Sequence, residues 1–340
     1  MHLSSDDNDP SGRPKCPLCN SASKVRRELP KRLIRSALRE CYDVPVPDSV
    51  PVPDYRMLFC PACTLEFACP LEAGSAPFYD WVTKQPNYYP EMRWEWGVLR
   101  EILAADSRPR RLLEVGCGDG NFLNLLKPLG HVSAIGLDTT KGSVEKCRAK
   151  HLEVYDRALD DYVRDSAATS NRFDVIVAFH CLEHLSDPKG IVRSMQELLA
   201  PGGSIFLSTP YSPMSWEGAW FDPLNHPPHH MTRWNEKSYK ALGSHIGLEP
   251  TFRMPKPAPL TFRVAEALNF RWNGPQYPLS RRNVLKRALK NPSLWTKEVA
   301  RQLFRERMNG AATANVVLVE FSTARAENGR SGGQLAAAFI

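Results

Sequence analysis

The stretch EVGCGDG, residues 114–120, follows an apolar run and opens a helical pattern. Its three glycines let the backbone turn tightly and approach a bound ligand, and the start of the following helix offers free N–H groups. Asp138 ends the next strand pattern, 22 residues after Gly116, where a carboxylate can accept both hydroxyls of a ribose. A dinucleotide-binding loop would carry its third glycine one residue later. The spacing therefore favours a ligand with a ribose and without a pyrophosphate.

Strand and helix patterns alternate around this loop. Apolar runs typical of buried strands stand at 111–115, 131–137, 152–155, 173–179 and 204–208. Helical patterns cover 121–129, 140–150 and 188–200. Strands separated by helices of this length predict an α/β fold with a doubly wound, mostly parallel sheet, whose ligands bind at the carboxyl ends of the strands.

These elements resemble the class I S-adenosylmethionine-dependent methyltransferases. The segment FDVIVAFHCLEHLSDP, residues 173–188, and Pro-Gly-Gly at 201–203 are similar to the ubiquinone-type branch. The resemblance covers about residues 90–255 and adds 314–321 as a seventh, antiparallel strand of a Rossmann-like methyltransferase sheet. It implies S-adenosylmethionine as cofactor, with the methionine end at 114–120, the ribose at Asp138 and the adenine near Leu159 and Asp160. The cofactor-binding residues implied in this way are Glu114, Gly116, Gly118, Gly120, Asp138, Leu159, Asp160 and His180.

Several histidines stand near the expected path of the methyl group. His180 closes the strand at 173–179, and His229 and His230 lie in a Pro-rich loop after the strand at 204–208. An unperturbed histidine suits proton transfer at neutral pH, so these three are the candidate catalytic residues. Structural roles stay open: Glu183 and His184 would then hydrogen-bond their loop, and one histidine of the 229–230 pair would cap the helix at 235–245 while the other is exposed.

Metal binding near these histidines is a further open alternative. Ubiquinone-type O-methyltransferases have a Glu-x-x-Glu-His metal site here, but His180 replaces its first glutamate. A site built from His226, His229 and His230 matches no standard ligand spacing.

Four of the nine cysteines form two Cys-x-x-Cys pairs, Cys16 with Cys19 and Cys60 with Cys63. Two such pairs favour one tetrahedral zinc ion over disulfides, and four thiolates leave no open position, so the zinc would be structural. Reduced free cysteines or a redox pair are the alternatives, and Cys41 or Cys69 could replace one ligand.

The predicted order of segments follows from these features. It is a disordered tail (1–13), a zinc-ribbon-like module (14–72), an aromatic connecting or lid segment (73–108), the methyltransferase core (109–255), a basic helical insertion (256–312), the last strand (313–323) and a disordered tail (324–340).

The net charge of +7 is concentrated in one place. Residues 278–307 hold nine Lys or Arg and two Glu, so the remainder of the chain is neutral and gives no general support for nucleic-acid binding. The basic segment is interpreted as a solvated helix face, a peripheral contact with an anionic membrane or a cradle for a phosphorylated acceptor. With no apolar run near 18 residues and no signal-like N-terminus, a cytoplasmic location is expected.

The function predicted from these observations is methyl transfer to a small-molecule acceptor. An anionic acceptor such as a sugar nucleotide, methylated on oxygen or carbon, would suit the histidines and the basic segment. The rival functions are an RNA methyltransferase with a zinc ribbon and a noncatalytic scaffold; the intact glycine loop and Asp138 disfavour the scaffold.

Overall fold

The computed structural model describes residues 14–42, 44–85, 88–166, 172–273, 289–309 and 314–322. The two tails predicted to be disordered and the first part of the basic segment lie outside these residues. In chain order the strands are β1 (Lys24–Leu29), β2 (Tyr55–Phe59), β3 (Glu66–Cys69), β4 (Arg110–Val115), β5 (Val132–Asp138), β6 (Val154–Asp156), β7 (Phe173–Phe179), β8 (Leu199–Pro210), β9 (Thr232–Arg233), β10 (Glu249–Arg253) and β11 (Val316–Ser322). The helices are α1 (Lys31–Cys41), α2 (Ala76–Val82), α3 (Trp94–Ala104), α4 (Asn121–Leu126), α5 (Lys141–Ala149), α6 (Leu159–Ser166), α7 (Pro188–Leu198), α8 (Glu236–Ile246), α9 (Leu260–Asn273) and α10 (Pro292–Asn309).

A seven-stranded sheet forms the centre of the molecule, in the order β10-β11-β8-β7-β4-β5-β6. β6, β5, β4, β7 and β8 run parallel, and β11 pairs antiparallel with both β8 and β10. The doubly wound, mostly parallel α/β sheet with an antiparallel seventh strand is thus confirmed. β8 is longer than its apolar run and begins directly where α7 ends.

The central strands β4, β7, β8 and β11 are buried on both faces where their residues are mostly apolar. On one face Leu113 and Ile205 pack with Tyr239 of α8. On the other face Leu112 and Phe179 pack with helices α3 to α5. This two-sided burial is the reason that the strands appear as continuous apolar runs rather than alternating patterns.

A second sheet, in the order β1-β2-β3-β9, lies in the N-terminal part of the fold. Its fourth strand, β9, comes from the loop between β8 and α8, and the register pairs Glu66 with Arg233 and Phe67 with Thr232. The N-terminal module is therefore joined through backbone hydrogen bonds to a loop of the core.

α9 packs against α10, and α10 begins within the basic segment. The solvated-face interpretation is wrong for two of its arginines. Arg305 is buried and donates to the carbonyls of Pro213 and Ala314 at 2.7 and 2.9 Å, and Arg301 donates to the carbonyl of Ser215. These side chains turn inward because the loop after β8 contains backbone carbonyls that need donors. Within the described residues, no helix is long and apolar enough to cross a membrane.

Candidate active site and cysteine cluster

A cavity of about 920 Å³ opens at the carboxyl ends of β4, β5 and β7. The glycine loop, Asp138 and Leu159 line one part of it. Tyr79, Tyr88 and the histidines of the later loops line another part. The position agrees with the rule that open α/β sheets bind ligands beyond the carboxyl ends of their strands.

The glycine loop is fixed by hydrogen bonds from its backbone. The Asp138 carboxylate accepts from the Gly118 N–H and from the Thr140 N–H, both at 2.8 Å. Gly116 and Gly118 have φ values of 73° and 51°, in the left-handed region that favours glycine. A Cβ at Gly118 would lie 2.6 Å from the Tyr89 ring. The loop therefore presents bare backbone to the cavity, as the sequence predicted.

Glu114 lies below this loop and is 3% exposed. Its Oε2 has no hydrogen-bond partner among the described residues, and burial raises the pKa of the carboxyl well above its ordinary value. A buried carboxyl in this condition fits a site that completes its hydrogen bonding with a bound ligand.

Two of the residues assigned to the cofactor do not line the cavity. Gly120 precedes α4, where a Cβ would lie 2.5 Å from Leu152 Cδ1, so its role is in packing. Asp160 is exposed and accepts a hydrogen bond from Ser194 at 2.8 Å. Leu159, by contrast, is buried and lines the cavity.

His180 stands at the end of β7 with φ of 48°, a left-handed conformation uncommon for a histidine. Its Nε2 is 2.8 Å from Glu95 Oε1, and its Nδ1 is 3.4 Å from Glu183 Oε1. Burial and the charge of Arg93 oppose protonation, but the bonds to the two carboxylates raise the pKa of His180 overall. A histidine held by two carboxylates is better suited to orienting its neighbours than to accepting a proton from the acceptor.

Sequence reasoning missed Glu95, which the Trp-Glu-Trp run at 94–96 contains. Glu95 is 2% exposed and lies on the buried side of α3, where it contacts His180 and the Ser208 hydroxyl. The available signal was a single carboxylate between two aromatic residues at the start of a helical pattern.

His184, His229 and His230 come together at the cavity and are called here the histidine wall. Their ligand-type atoms all lie within 4.8 Å of one another. The wall forms because the Met231 N–H donates to the Glu183 carbonyl at 2.7 Å, which ties the loop after β8 to the turn after β7. Burial lowers the pKa of all three imidazoles, so each is neutral at pH 7.

The capping alternative for the 229–230 pair is wrong, because Asn235 caps α8 through the Lys237 and Ser238 N–H groups. Both histidines of the pair are buried rather than exposed.

His226 does not join the histidine wall. Its Nδ1 donates to the Asp222 carbonyl at 2.6 Å, and its Nε2 accepts from Arg233 at 2.6 Å. Arg233 also donates to the Asn225 carbonyl and pairs with Glu66 at 3.4 Å. The proposed trio of His226, His229 and His230 is therefore wrong, and His184 takes the place of His226.

Cys16, Cys19, Cys60 and Cys63 come together as predicted, with their sulfur atoms within 4.8 Å of one another. The Cys16–Cys63 and Cys19–Cys60 Sγ distances are 3.5 and 3.4 Å. Sulfur atoms around a tetrahedral zinc with 2.3 Å bonds would lie about 3.8 Å apart. The hydrogen bond with Cys63 lowers the pKa of Cys16 to about 5. The donor set and its spacing fit zinc.

The two cysteine turns have matching backbones. In each, the residue after the second cysteine donates its N–H to the carbonyl of the first, Asn20 to Cys16 at 2.9 Å and Thr64 to Cys60 at 2.8 Å. Asn20 and Thr64 have φ of 59° and 61°. Cys41 and Cys69 lie outside the cluster.

Comparison with known proteins agrees with this architecture. Residues 92–251 match a family model described as a methyltransferase domain. The ubiquinone biosynthesis O-methyltransferase of Proteus mirabilis is 37% identical over 103 residues, which are 29% of this chain and 42% of that protein. The same-named protein of Neisseria meningitidis serogroup C is 36% identical over 110 residues, 31% of this chain and 46% of that protein. The chain thus spans less than half the length of these curated relatives.

Among solved structures, the chain is similar to one described as a SAM-dependent methyltransferase from Archaeoglobus fulgidus. It shares 16% sequence identity, covers 67% of this chain and 92% of its own, and has a TM-score of 0.45. The glycine loop, the sheet order and the matched family model agree with the resemblance drawn from the sequence: residues 92–251 are similar to a methyltransferase domain, in a chain that also carries a four-cysteine cluster.

Proposed function

We propose that this protein transfers the methyl group of S-adenosylmethionine to a small-molecule acceptor. The observation that carries the proposal is one cavity with the glycine loop and Asp138 in one part and the histidine wall in another. When bound, S-adenosylmethionine supplies a methyl group on a positively charged sulfur. The protein binds and orients the cofactor and the acceptor, and it accepts the proton that the acceptor loses.

The cofactor would be held by Glu114, Gly116, Gly118, Asp138 and Leu159. Each Asp138 oxygen accepts one backbone N–H, and a carboxylate oxygen has capacity for a second bond, so ribose hydroxyls can be accommodated. The unpartnered Oε2 of Glu114 would find a partner at the methionine end, and Leu159 offers apolar contact to the adenine. Gly120 and Asp160 support the site from outside the cavity.

The histidine wall would face the acceptor. Burial lowers the pKa of His229 and His230 well below the ordinary value, so both are unprotonated at neutral pH and have a ring nitrogen that can accept a proton. The same shift makes them weaker bases than an ordinary histidine until an acceptor is bound. His180, held between Glu95 and Glu183, orients this part of the site. The chemistry suits an acceptor that must lose a proton, by O-methylation or by C-methylation beside a carbonyl.

An anionic acceptor, such as a sugar nucleotide, is the substrate class we propose. Its support is Arg93, which lines the cavity near His180 and lies over the Trp96 ring at 5.9 Å. Arg233 gives no such support, because its donors are committed to Asn225, His226 and Glu66. Arg301 and Arg305 likewise bind backbone carbonyls, so they favour neither a phosphate cradle nor an RNA surface.

We further propose that the four-cysteine cluster binds one structural zinc ion. Four sulfur ligands leave no open position for chemistry, and the site stabilises a module whose strands β1 to β3 are short. The module contacts the acceptor side of the cavity through β9 and through α2, whose Phe78 and Trp81 share a buried cluster with Ile34 and Leu38 of α1.

The test is calorimetric binding of S-adenosylmethionine and S-adenosylhomocysteine, followed by incubation of methyl-labelled S-adenosylmethionine with sugar nucleotides, other small metabolites and total RNA. We expect binding of both and label in a small-molecule product. His230→Ala should lower turnover by about 100-fold with cofactor affinity retained. His245→Ala, an exposed histidine of α8, is the matched control and should not change turnover. Failure to bind either ligand, or label only in RNA, would contradict the proposal.

A further inference from the structure

The three imidazoles of the histidine wall lie close enough together to reach one ion. The His229 and His230 rings are stacked with their planes 18° apart, so one of them must turn for both rings to point a nitrogen at that ion. His184 and His229 have ring centroids 4.5 Å apart, and His230 lies 4.9 and 4.6 Å from them. Their ligand-type atoms fall within 4.8 Å of one another. Nitrogen atoms around a tetrahedral ion with bonds of about 2.05 Å would lie about 3.4 Å apart. A small inward movement of the rings closes that difference.

The hydrogen bonds fix the same tautomer in all three rings. His184 Nδ1 is 2.8 Å from the His229 carbonyl, and His229 Nδ1 is 2.9 Å from the Leu224 carbonyl. His230 Nδ1 is 3.2 Å from Asn225 Oδ1, and Asn225 is oriented by its amide donating to Glu217 at 3.2 Å. Since each of these partners is an acceptor, each Nδ1 carries the hydrogen.

Every Nε2 of the wall therefore has its lone pair free of hydrogen. Metal-binding histidines characteristically donate their other ring N–H to a carbonyl or carboxylate oxygen, which fixes the ligating nitrogen. All three imidazoles of the histidine wall donate their Nδ1–H to a carbonyl oxygen in this way. The Nε2 atoms are therefore the nitrogens of the histidine wall that are available to ligate a cation.

A buried carboxylate stands beside the wall. Glu183 is 1% exposed, and neither oxygen has a hydrogen-bond partner among the described residues. Its Oε1 is 3.9 Å from His230 Nε2 and 3.4 Å from His180 Nδ1. His180 also pairs with Glu95, so one imidazole serves two buried carboxylates, and a cation at the histidine wall would add positive charge beside Glu183.

We propose that the histidine wall binds a divalent transition-metal ion through the Nε2 atoms of His184, His229 and His230, with Glu183 as the neighbouring carboxylate. Three imidazoles favour ions such as Zn²⁺, Co²⁺, Ni²⁺ or Fe²⁺ over Mg²⁺ or Ca²⁺. This is not the Glu-x-x-Glu-His set: His180 is held by Glu95, and two ligands come from the loop after β8.

One existing contact must be exchanged. The Tyr88 hydroxyl lies 3.0 Å from His229 Nε2, and it donates there because that nitrogen carries no hydrogen. Metal binding would replace this hydrogen bond. The ion would then lie beside the acceptor part of the cavity, where it would lower the pKa of an acceptor hydroxyl that reached it. That catalytic consequence rests on the proposed function, whereas metal binding itself does not.

The experiment uses the full chain purified with its zinc, and Co²⁺ as the probe. We expect one Co²⁺ per chain in addition to the zinc, with visible bands of a nitrogen and oxygen site. A near-ultraviolet thiolate-to-cobalt band should be absent, because thiolates occupy only the cysteine cluster. His229→Ala and His230→Ala should weaken Co²⁺ binding by about tenfold or more. His245→Ala, the exposed control, and Tyr88→Phe should retain it.

Binding of S-adenosylhomocysteine, measured on every variant, shows that the fold persists and separates the two proposals. Glu183→Gln is a second variant of nearly unchanged volume and should also weaken Co²⁺ binding. The metal site would be overturned if no Co²⁺ bound, if the spectrum showed only thiolate ligation, or if the His229, His230 and Glu183 variants bound Co²⁺ as tightly as the wild-type protein. If methyl transfer persists in that case, the proposed function stands and the histidines act as direct proton acceptors.

Discussion

Replacing Asp138 by Asn tests the assignment of the cofactor end most directly. Each oxygen of the carboxylate accepts a backbone N–H at 2.8 Å, from Gly118 and Thr140. Asn keeps one acceptor and turns the other into an NH₂ donor, which would face an N–H. The variant also loses the charge that accepts the ribose hydroxyls.

Hydrogen bonds to a charged group contribute about 1.5 to 3 kcal/mol, so Asp138→Asn should weaken binding of S-adenosylhomocysteine by about 10- to 150-fold. Calorimetry at fixed pH and salt measures this. Asp156→Asn is the matched control, because Asp156 is the register partner of Asp138 on β6 yet is exposed and outside the cavity lining. An Asp138→Asn affinity within threefold of wild type, at an unchanged melting temperature, would refute the assignment.

Three further predictions concern the loop, a buried histidine and the cysteine cluster. Gly118→Ala should reduce S-adenosylhomocysteine binding, because its Cβ would lie 2.6 Å from Tyr89 at a φ of 51°; equal affinity by calorimetry would contradict the close approach. Burial and the charge of Arg233 lower the pKa of His226, so the unfolded chain binds a proton that the folded chain excludes below about pH 6.5. The free energy of unfolding should then fall by up to about 1.4 kcal/mol per pH unit on acidification, and urea denaturation should show a smaller fall in His226→Gln. Cys60→Ser should release the zinc and lower the melting temperature, whereas metal analysis that finds no zinc in wild-type protein, with all four thiols reactive, would exclude the site.

The central sheet could be predicted from the sequence because its determinants are local. β7 and the middle of β8 are apolar runs, the helices between the strands have their own period, and the glycine loop marks a strand-to-helix turn at the cavity. The start of α7 is equally local: Asp187 caps it by accepting a hydrogen bond from the Gly190 N–H at 2.8 Å, and Pro188 is its first residue.

The composition of the histidine wall could not be predicted in this way, because it depends on contacts between distant residues. His184 follows β7 and His229 follows β8, and their proximity results from the parallel pairing of those strands together with the Met231 to Glu183 hydrogen bond. The alternative drawn from the sequence instead contained His226, because it is only three residues from His229 in the chain. Its ring is diverted by Arg233, a contact that no periodicity encodes.

The loop after β8 connects the separate parts of the molecule at the acceptor side. Its Thr232 and Arg233 form β9 and pair with β3, the strand that follows the second cysteine turn. Its Pro213 and Ser215 carbonyls are held by Arg305 and Arg301 of α10. His229 and His230 lie between these two attachments in the chain, so their position depends on the cysteine module on one side and on the C-terminal helix on the other. A zinc ion bound by the four cysteines would therefore stabilise the acceptor side of the cavity through the β3–β9 hydrogen bonds. The cofactor end is fixed separately, by β4, β5 and Asp138.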